Sequence, residues 1–280
     1  MPIVDDLALA YTEYYTHGEK SSRSLKFEIA KFIYRSVVDV FLMLGSVTAE
    51  RKRAELMFLG NQAPASLLDI GCGQGEFLGS MARRGWTVMG VDFDPAAVEA
   101  ARRLYGLDVR LGTVDTMIAT GITFDVVTAS HVIEHVPDPI AFLSKCRSLL
   151  RLGGRMILRT PNVDSIGHRR YQRHWRGLEP PRHLHLFTLA ALKACALKAG
   201  FKEARCFTTS VGAEGIWIAS HIAEKKGEFR PSKLTRAEQL EVKLLGPVLA
   251  LKGKMAWLRD VNSGEEICAE LTNAASATSE

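Results

Sequence analysis

The sequence predicts an α/β fold with a doubly wound, mostly parallel sheet of seven strands. Between residues 63 and 210, short apolar runs alternate with helical patterns, which is typical of a parallel sheet covered by helices. The first apolar run leads into glycines on alternate positions, Gly71, Gly73 and Gly75. Glycine accepts positive φ and has no Cβ, so these positions predict a tight turn from strand to helix that a ligand can approach closely.

Each element follows from a local pattern. Apolar runs predict strands near 66–70, 87–91, 108–111, 124–129, 155–159, 201–208 and 263–271. Helical spacing predicts helices near 75–84, 95–104, 138–150, 188–199, 211–222 and 235–257. Asp138 before Pro139 is a good helix start, and the pair Gly153 and Gly154 is expected to end that helix.

Five segments follow from these patterns. They are an N-terminal helical cover or lid at 1–62, a core at 63–210, a helical insertion at 211–262, the final core strand at 263–272 and a disordered tail at 273–280. An aromatic group near the start contains Tyr14, Tyr15 and His17. It either packs on the sheet as part of the cover or faces a bound cofactor as part of a lid.

Composition indicates a globular protein. The chain has 280 residues, 47% of them hydrophobic, and a formal charge of +5. The five cysteines are scattered without a Cys-x-x-Cys pair, which is typical of a reducing compartment. The start lacks the basic and apolar regions of a signal peptide, and no apolar run reaches the roughly twenty residues of a membrane span. We therefore expect a soluble, cytoplasmic protein.

Two acidic residues flank the glycine turn in sequence. Asp69 lies in the first predicted strand, and Asp92 ends the second. An acid at the tip of the second strand of such a sheet is placed to accept hydrogen bonds from a ribose diol. The spacing Gly-x-Gly-x-Gly differs from the Gly-x-Gly-x-x-Gly of dinucleotide binders.

At these residues the chain resembles the class I S-adenosylmethionine-dependent methyltransferases, and most of all their ubiquinone-biosynthesis O-methyltransferase subgroup. The resemblance covers roughly residues 63–210, and the motifs that carry it are residues 69–75, 91–95, 124–139 and 149–158. It implies a Rossmann-like sheet and S-adenosylmethionine as the methyl donor. It also implies a set of donor-binding residues: Asp69, Gly71, Cys72, Gly73, Gly75, Asp92, Phe93, Thr113, Val114, Ser130 and His131.

Histidines after the fourth strand are the candidates for catalysis, since ligands bind outside the carboxyl ends of parallel strands. The segment from His131 to His135 is similar to the Glu-x-x-Glu-His of related O-methyltransferases, where acids and histidines can hold a divalent metal. The candidate general bases are His131, His135, His183 and His185. The candidate metal ligands are His131, Glu134, His135 and His185. A base is the preferred interpretation, because His131 replaces an acid and magnesium prefers oxygen ligands.

An arginine-rich segment follows the fifth strand. It contains Arg169, Arg170, Arg173 and Arg176, interleaved with aromatic residues. Arginine binds carboxylates and phosphates bidentately, so the segment predicts a clamp for an anionic acceptor; the alternative is a solvated basic loop. The candidate substrate-binding residues are Tyr14, Tyr15, His17, Arg170, Arg173 and Trp175.

Together these features predict O-methylation of a small-molecule hydroxyl on a quinone, phenol, sugar or other metabolite. Methylation of RNA or of a nucleotide-linked sugar is the alternative enzyme hypothesis. A non-catalytic regulator that binds the donor is the alternative of another class. The modest charge argues against a nucleic-acid partner. The helical additions are candidate surfaces for a homodimer.

Overall fold

The computed structural model describes residues 47–227, 229 and 234–274. They form two compact units, a sheet unit and a helical unit. Tyr14, Tyr15 and His17 of the predicted lid lie outside the described residues, as does the predicted tail from residue 275 onward.

The sheet unit contains one seven-stranded sheet with the order β3-β2-β1-β4-β5-β7-β6. The strands are β1 Ser66–Ile70, β2 Thr87–Asp92, β3 Val109–Leu111, β4 Phe124–Ser130, β5 Leu150–Pro161, β6 Glu203–Thr209 and β7 Glu266–Thr272. The pairs of β1 with β2, β1 with β4, β2 with β3 and β4 with β5 are parallel, and β7 runs antiparallel to β5. The predicted fold class is confirmed.

Nine α-helices are present in the part of the chain that the structure describes. They are α1 Val47–Glu55, α2 Glu76–Ala82, α3 Pro95–Tyr105, α4 Val114–Ile118, α5 Pro139–Ser148, α6 Ile166–Tyr171, α7 Leu189–Lys198, α8 Ala213–Lys226 and α9 Arg236–Arg259. The start of α5 is as predicted, because the Asp138 carboxylate accepts hydrogen bonds from Ile140 N and Ala141 N.

Two details at the start of β5 differ from the prediction. Helix α5 ends at Ser148, so Gly153 and Gly154 do not terminate it but lie inside the strand. Gly153 has φ of 79°, and its N–H donates to the carbonyl of Asn273. Asn273 donates its own N–H to the carbonyl of Gly154. The first residue of the predicted tail is thus held by backbone pairing, which sequence composition does not report.

The helical unit includes α6, α8 and α9. Residues 164–182, which contain α6, belong to this unit, although the sequence had assigned them to the core. Its apolar core contains Tyr171, Trp175 and Trp217. The buried carboxylate of Glu265 accepts hydrogen bonds from the indole N–H groups of Trp217 and Trp175, at 2.8 and 3.1 Å. It also accepts from Gly167 N at 2.7 Å. These bonds join residues from 167 to 265 in one buried cluster, which explains the assignment of 164–182.

No helix within the described ranges is both long and apolar enough to cross a lipid bilayer.

Replacing Gly90 with Ala tests the packing of β2 on the glycine turn. A Cβ at Gly90 would lie 2.7 Å from both Cys72 Sγ and Leu78 Cδ1. We expect Gly90→Ala to lower the free energy of unfolding by about 1–3 kcal/mol, the usual cost of overpacking. Urea denaturation measures the change. The control is Gly215→Ala on α8, where a Cβ meets no atom within 4 Å. An equal loss in both variants would contradict this account.

Candidate active site

The glycine turn joins β1 to α2 with an exposed backbone. Gly71, Gly73 and Gly75 have φ of 72°, 53° and 80°, which L side chains rarely adopt. A Cβ at Gly71 would lie 2.6 Å from Val132 Cγ2, so this glycine is also required by packing. A Cβ at Gly73 would meet nothing within 4 Å. The backbone at Gly73 is therefore open to close approach by a ligand.

Asp92 ties the end of β2 to this turn. The buried carboxylate accepts a hydrogen bond from Gly73 N at 2.7 Å through Oδ2 and from Asp94 N at 2.9 Å through Oδ1. Carboxylate oxygens each have more than one lone pair, so both can accept a further bond from a diol. Asp92 thus has the position predicted for a ribose-binding acid.

Asp69 lies beside this acid. It is buried, and its carboxylate accepts a hydrogen bond from Thr128 Oγ1 at 2.7 Å. Burial and the nearby charge of Asp92 raise the pKa of Asp69 to about 7, although the bond from Thr128 opposes the rise. A cation bound near Asp69 would favour its ionised form.

Apolar side chains are exposed beside Asp92. Phe93 is 58% exposed, and Leu111, which pairs with Asp92 across β2 and β3, is 50% exposed. Leu111 was not among the predicted site residues, because an apolar residue at a strand end is normally assigned to the core. Exposed apolar groups next to a ribose-binding acid suit the flat face of a nucleobase.

Three predicted donor-binding residues have structural uses for their side chains. The Thr113 hydroxyl caps α4 by accepting from Asp115 N, and Val114 is buried in the core. Cys72 is also buried. Among these positions the backbone groups and the Thr113 hydroxyl, which keeps its O–H donor and a second lone pair, remain able to bond a ligand.

His131 lies at the centre of a charged network beyond β4. Its backbone has a left-handed φ of 56°. Its ring nitrogens face two buried carboxylates, with Nδ1 3.2 Å from Glu134 and Nε2 3.1 Å from Glu266. The second oxygen of each carboxylate also accepts a hydrogen bond. Arg159 Nε donates to Glu266 at 3.0 Å, and Thr160 Oγ1 donates to Glu134 at 2.9 Å.

This network favours the imidazolium form of His131. Burial disfavours the charge, but the hydrogen bonds and negative charges of Glu134 and Glu266 outweigh it and raise the pKa of His131 to about 10. Burial likewise opposes ionisation of Glu266, yet Arg159 and His131 lower its pKa to about 2. A protonated histidine with both N–H groups donating cannot accept a proton. Because both ring nitrogens face carboxylates, the geometry disfavours His131 as the general base and favours a structural role for it.

The network contains residues absent from the predicted site, namely Arg159, Thr160 and Glu266. Glu266 lies 135 positions after His131 in the sequence. The antiparallel register of β5 with β7 brings Glu266 to this edge, opposite Pro161. A register between strands so far apart in sequence has no local signal.

A second group lies next to this network. Glu134, His135 and His183 each offer one ligand atom, and these atoms all lie within 4.8 Å of one another. The rings of His135 and His183 are 4.7 Å apart between centroids. The Glu134 carbonyl accepts hydrogen bonds from Leu184 N and His185 N, at 2.8 and 3.2 Å. These backbone bonds hold the 183–185 segment against the end of β4, and so place His183 beside His135.

His185 is separated from that group. Its Nε2 lies 3.3 Å from the carbonyl of Pro137, and its ring is near that of Phe187. The segment is irregular and the two rings have different neighbours, His135 for His183 and Phe187 for His185. In the structure the group of potential ligands is Glu134, His135 and His183, so among the described residues it contains neither His131 nor His185 of the predicted set.

The arginine-rich segment belongs to the helical unit. Arg170 pairs with Glu224 at 3.0 Å, Arg176 with Glu179 at 2.9 Å, and Arg169 with Asp260 at 3.5 Å. Arg173 is exposed and donates to His174.

Trp175 is 2% exposed and bonded to Glu265, so its predicted contact with substrate is corrected to a role in the core.

The charge of His131 can be tested through stability. Its pKa is raised from an ordinary value of 6.5 to about 10, so the network stabilises the fold fully below about pH 6.5 and loses this contribution as pH rises toward 10. We expect the loss of unfolding free energy in His131→Gln to be larger at about pH 6 than at about pH 9.5. Denaturation in urea at both pH values measures it. Leu104→Gln, an exposed substitution, serves as the control. A loss independent of pH would show that His131 is not cationic.

Comparison with known proteins gives the family of this chain. A family model described as a methyltransferase domain matches residues 46–204, more than half of the chain. The ubiquinone biosynthesis O-methyltransferase of Parvibaculum lavamentivorans is 45% identical over 106 residues, 36% of this chain and 42% of that protein. The chain thus matches less than half the length of that relative.

Solved structures show the same fold. A SAM-dependent methyltransferase from Archaeoglobus fulgidus has a TM-score of 0.53 at 16% identity, covering 80% of this chain and 93% of that one. Phosphoethanolamine N-methyltransferase 2 from Haemonchus contortus, in complex with S-adenosyl-L-methionine, has a TM-score of 0.51 at 17% identity, covering 79% of this chain and 52% of that one. The chain belongs to the family of methyltransferase domains.

Proposed function

We propose that this protein transfers a methyl group from S-adenosylmethionine to a hydroxyl oxygen of a small molecule. The observation that carries the proposal is the bond between Asp92 and Gly73 N, which fixes an acid beside an open glycine backbone. Family membership supports the methyl donor, and the partial match to an O-methyltransferase supports an oxygen acceptor.

In this proposal the donor lies along the carboxyl ends of β1 and β2. Asp92 accepts hydrogen bonds from the ribose, and the backbone around Gly73 allows the methionine part to approach. Phe93 and Leu111 offer apolar surface to the adenine. Asp69 supplies negative charge near the cationic sulfonium and amino groups, which electrostatically favours the donor over a neutral analogue.

The chemical step is an in-line displacement at the methyl carbon. The acceptor oxygen attacks that carbon, an O–C bond forms, and the C–S bond breaks with its electron pair going to sulfur. The hydroxyl proton must leave the oxygen, and a positioned imidazole can take it. His135 and His183 are the proposed proton acceptors, because both ring nitrogens of His131 already face carboxylates and His185 lies apart from the pair.

A divalent metal is the alternative way to activate the hydroxyl. Glu134, His135 and His183 provide one carboxylate and two imidazoles, a donor set that suits zinc and similar ions better than magnesium. When bound, such an ion would acidify the acceptor hydroxyl. Both Glu134 oxygens already accept hydrogen bonds, so we retain the base as the preferred proposal.

The acceptor itself is proposed to be a small and anionic metabolite. Arg170 and Arg176 have carboxylate partners, so the anion-binding hypothesis now rests mainly on the exposed Arg173.

Donor binding tests the role of Asp92. We expect Asp92→Ala to weaken S-adenosylmethionine binding by about 1.5–3 kcal/mol, the value of hydrogen bonds to a charged group. Titration calorimetry measures it. Asp94→Asn is the matched control, because asparagine caps a helix as well as aspartate does and α3 should keep its start. Binding of NAD without binding of S-adenosylmethionine would overturn the assignment.

Catalysis tests the histidine pair. We expect His135→Gln or His183→Gln to lower turnover by about 10²–10⁴-fold, the contribution of a general base, with donor affinity unchanged. His185→Gln is the control and should retain most activity. Assays with labelled donor and a panel of phenols, quinols and sugars measure these effects. Full activity in both variants would remove the pair from the mechanism, and activity lost in chelator and restored by zinc would favour the metal over the base.

A further inference from the structure

An open pocket of about 340 Å³ lies at the edge of the sheet where the parallel strands begin. Its lining residues include Gln62, Ala65, Trp86, Asp125, Leu152 and Arg155. Ala65 and Trp86 come directly before β1 and β2, whereas the candidate active site follows the ends of these strands. The volume is within the range of small-molecule sites, roughly 300–1,000 Å³. We call it the lower pocket, and it is separate from the candidate active site.

A wide bulge in β5 forms one wall of the lower pocket. Four residues of β5, 151–154, lie opposite the single residue Asp125 of β4. A Cβ at Gly154 would lie 2.9 Å from the carbonyl oxygen of Arg151 and 3.1 Å from that of Asp125, so the bend leaves no room for a larger residue. The bulge brings Leu152, which is 74% exposed, to the edge of the pocket. Strand bulges of this kind are over-represented next to functional sites.

Asn273 and Asp125 hold this bulge in one shape. Asn273 exchanges backbone hydrogen bonds with residues 153–154. Its side-chain amide donates to the carbonyl oxygens of Leu150 and Arg151, each at 3.1 Å. The guanidinium of Arg151 in turn donates to the Asp125 carboxylate at 2.8 Å. The wall is thus preformed, and binding of a ligand costs little ordering of the chain.

Arg155 supplies an uncompensated charge to the lower pocket. It is half-buried, and its Nη2 donates to the amide oxygen of Gln62. Among the described residues, this neutral amide and not a carboxylate is its partner. The acid of the pocket, Asp125, is bonded instead to Arg151 and to the N–H and hydroxyl groups of Ser66. The net charge that faces the pocket is therefore positive and favours an anion.

The other walls are mostly apolar and restrict the kind of anion. Trp86, which is 6% exposed, lines the pocket together with Val126 and the exposed Leu152. Gln62 uses one of the five N–H groups of Arg155, so donors remain for a planar, bidentate carboxylate. A ligand with an apolar body can cover the apolar walls, whereas inorganic phosphate cannot.

We propose that the lower pocket binds a small monocarboxylate with a short apolar body. Arg155 holds its carboxylate, and its body lies against Trp86 and Leu152.

The experiment is a fluorine NMR titration of the full chain with para-fluorobenzoate. We expect saturable line broadening with a dissociation constant of roughly millimolar, which suits a ligand of about ten heavy atoms. Arg155→Gln should raise the dissociation constant by roughly tenfold or more, because the charge-assisted hydrogen bonds are lost. Arg103→Gln is the matched control, since Arg103 is an exposed arginine of α3 that does not line the pocket.

A second variant adds charge at the edge of the pocket without touching the core. Leu152→Glu should weaken binding of para-fluorobenzoate several-fold, because its carboxylate repels the anion. Leu104→Glu, at an exposed leucine of α3, is the matched control and should leave binding unchanged. Circular dichroism checks that each variant is folded, and the exposed Leu152 gives a result even if Arg155→Gln does not fold.

Four outcomes would overturn the proposal. The first is the absence of saturable binding. The second is equal affinity for the neutral para-fluorobenzyl alcohol, since the ligand would then not be recognised as an anion. The third is displacement of the probe by inorganic phosphate at equal concentration, which would make the lower pocket a phosphate site. The fourth is unchanged affinity in folded Arg155→Gln and Leu152→Glu, which would place the probe elsewhere, for example in the candidate active site.

Discussion

The hydrogen bond from Gly73 N to the Asp92 carboxylate is the contact on which the candidate site depends. It joins the turn after β1 to the end of β2, and the parallel register of the two strands brings these ends together. The turn tolerates this arrangement only because its glycines have positive φ. A fixed acid and an open backbone therefore lie side by side at this turn, and the proposed binding of S-adenosylmethionine rests on both.

Buried charge is handled in two ways in this protein. In the sheet unit, His131 and Arg159 compensate Glu134 and Glu266, and their mutual fields hold all four groups ionised. In the helical unit, Glu265 has N–H donors of two tryptophans and a glycine but no cation among the described contacts. Burial accordingly raises the pKa of Glu265, although those hydrogen bonds lower it. The first arrangement stabilises charged side chains, whereas the second ties two tryptophans and a glycine to one buried carboxylate.

Sequence reasoning was most successful where the determinants are local. The glycine turn, Asp92 and the start of α5 depend on neighbouring residues, and the structure has them where they were predicted. It failed where partners are distant. Glu266 reaches His131 only through the register of β5 with β7. Gly153 lies inside a strand instead of ending a helix, and its N–H donates to the carbonyl of Asn273, which is 120 positions away. Trp175 was predicted to contact the substrate because it lies in an arginine-rich segment, yet it is buried and donates a hydrogen bond to Glu265.

Glu134 connects the structural and the chemical parts of the site. Its side chain accepts from His131 and Thr160, its carbonyl holds the segment that carries His183, and its carboxylate belongs to the potential ligand set. Loss of activity on replacing Glu134 would therefore not identify its chemical role, because the charged network and the histidine pair would change together. Substitutions of His135 and His183 are more informative, since the carbonyl of residue 134 and the backbone of residues 183–185 keep their pairing in those variants.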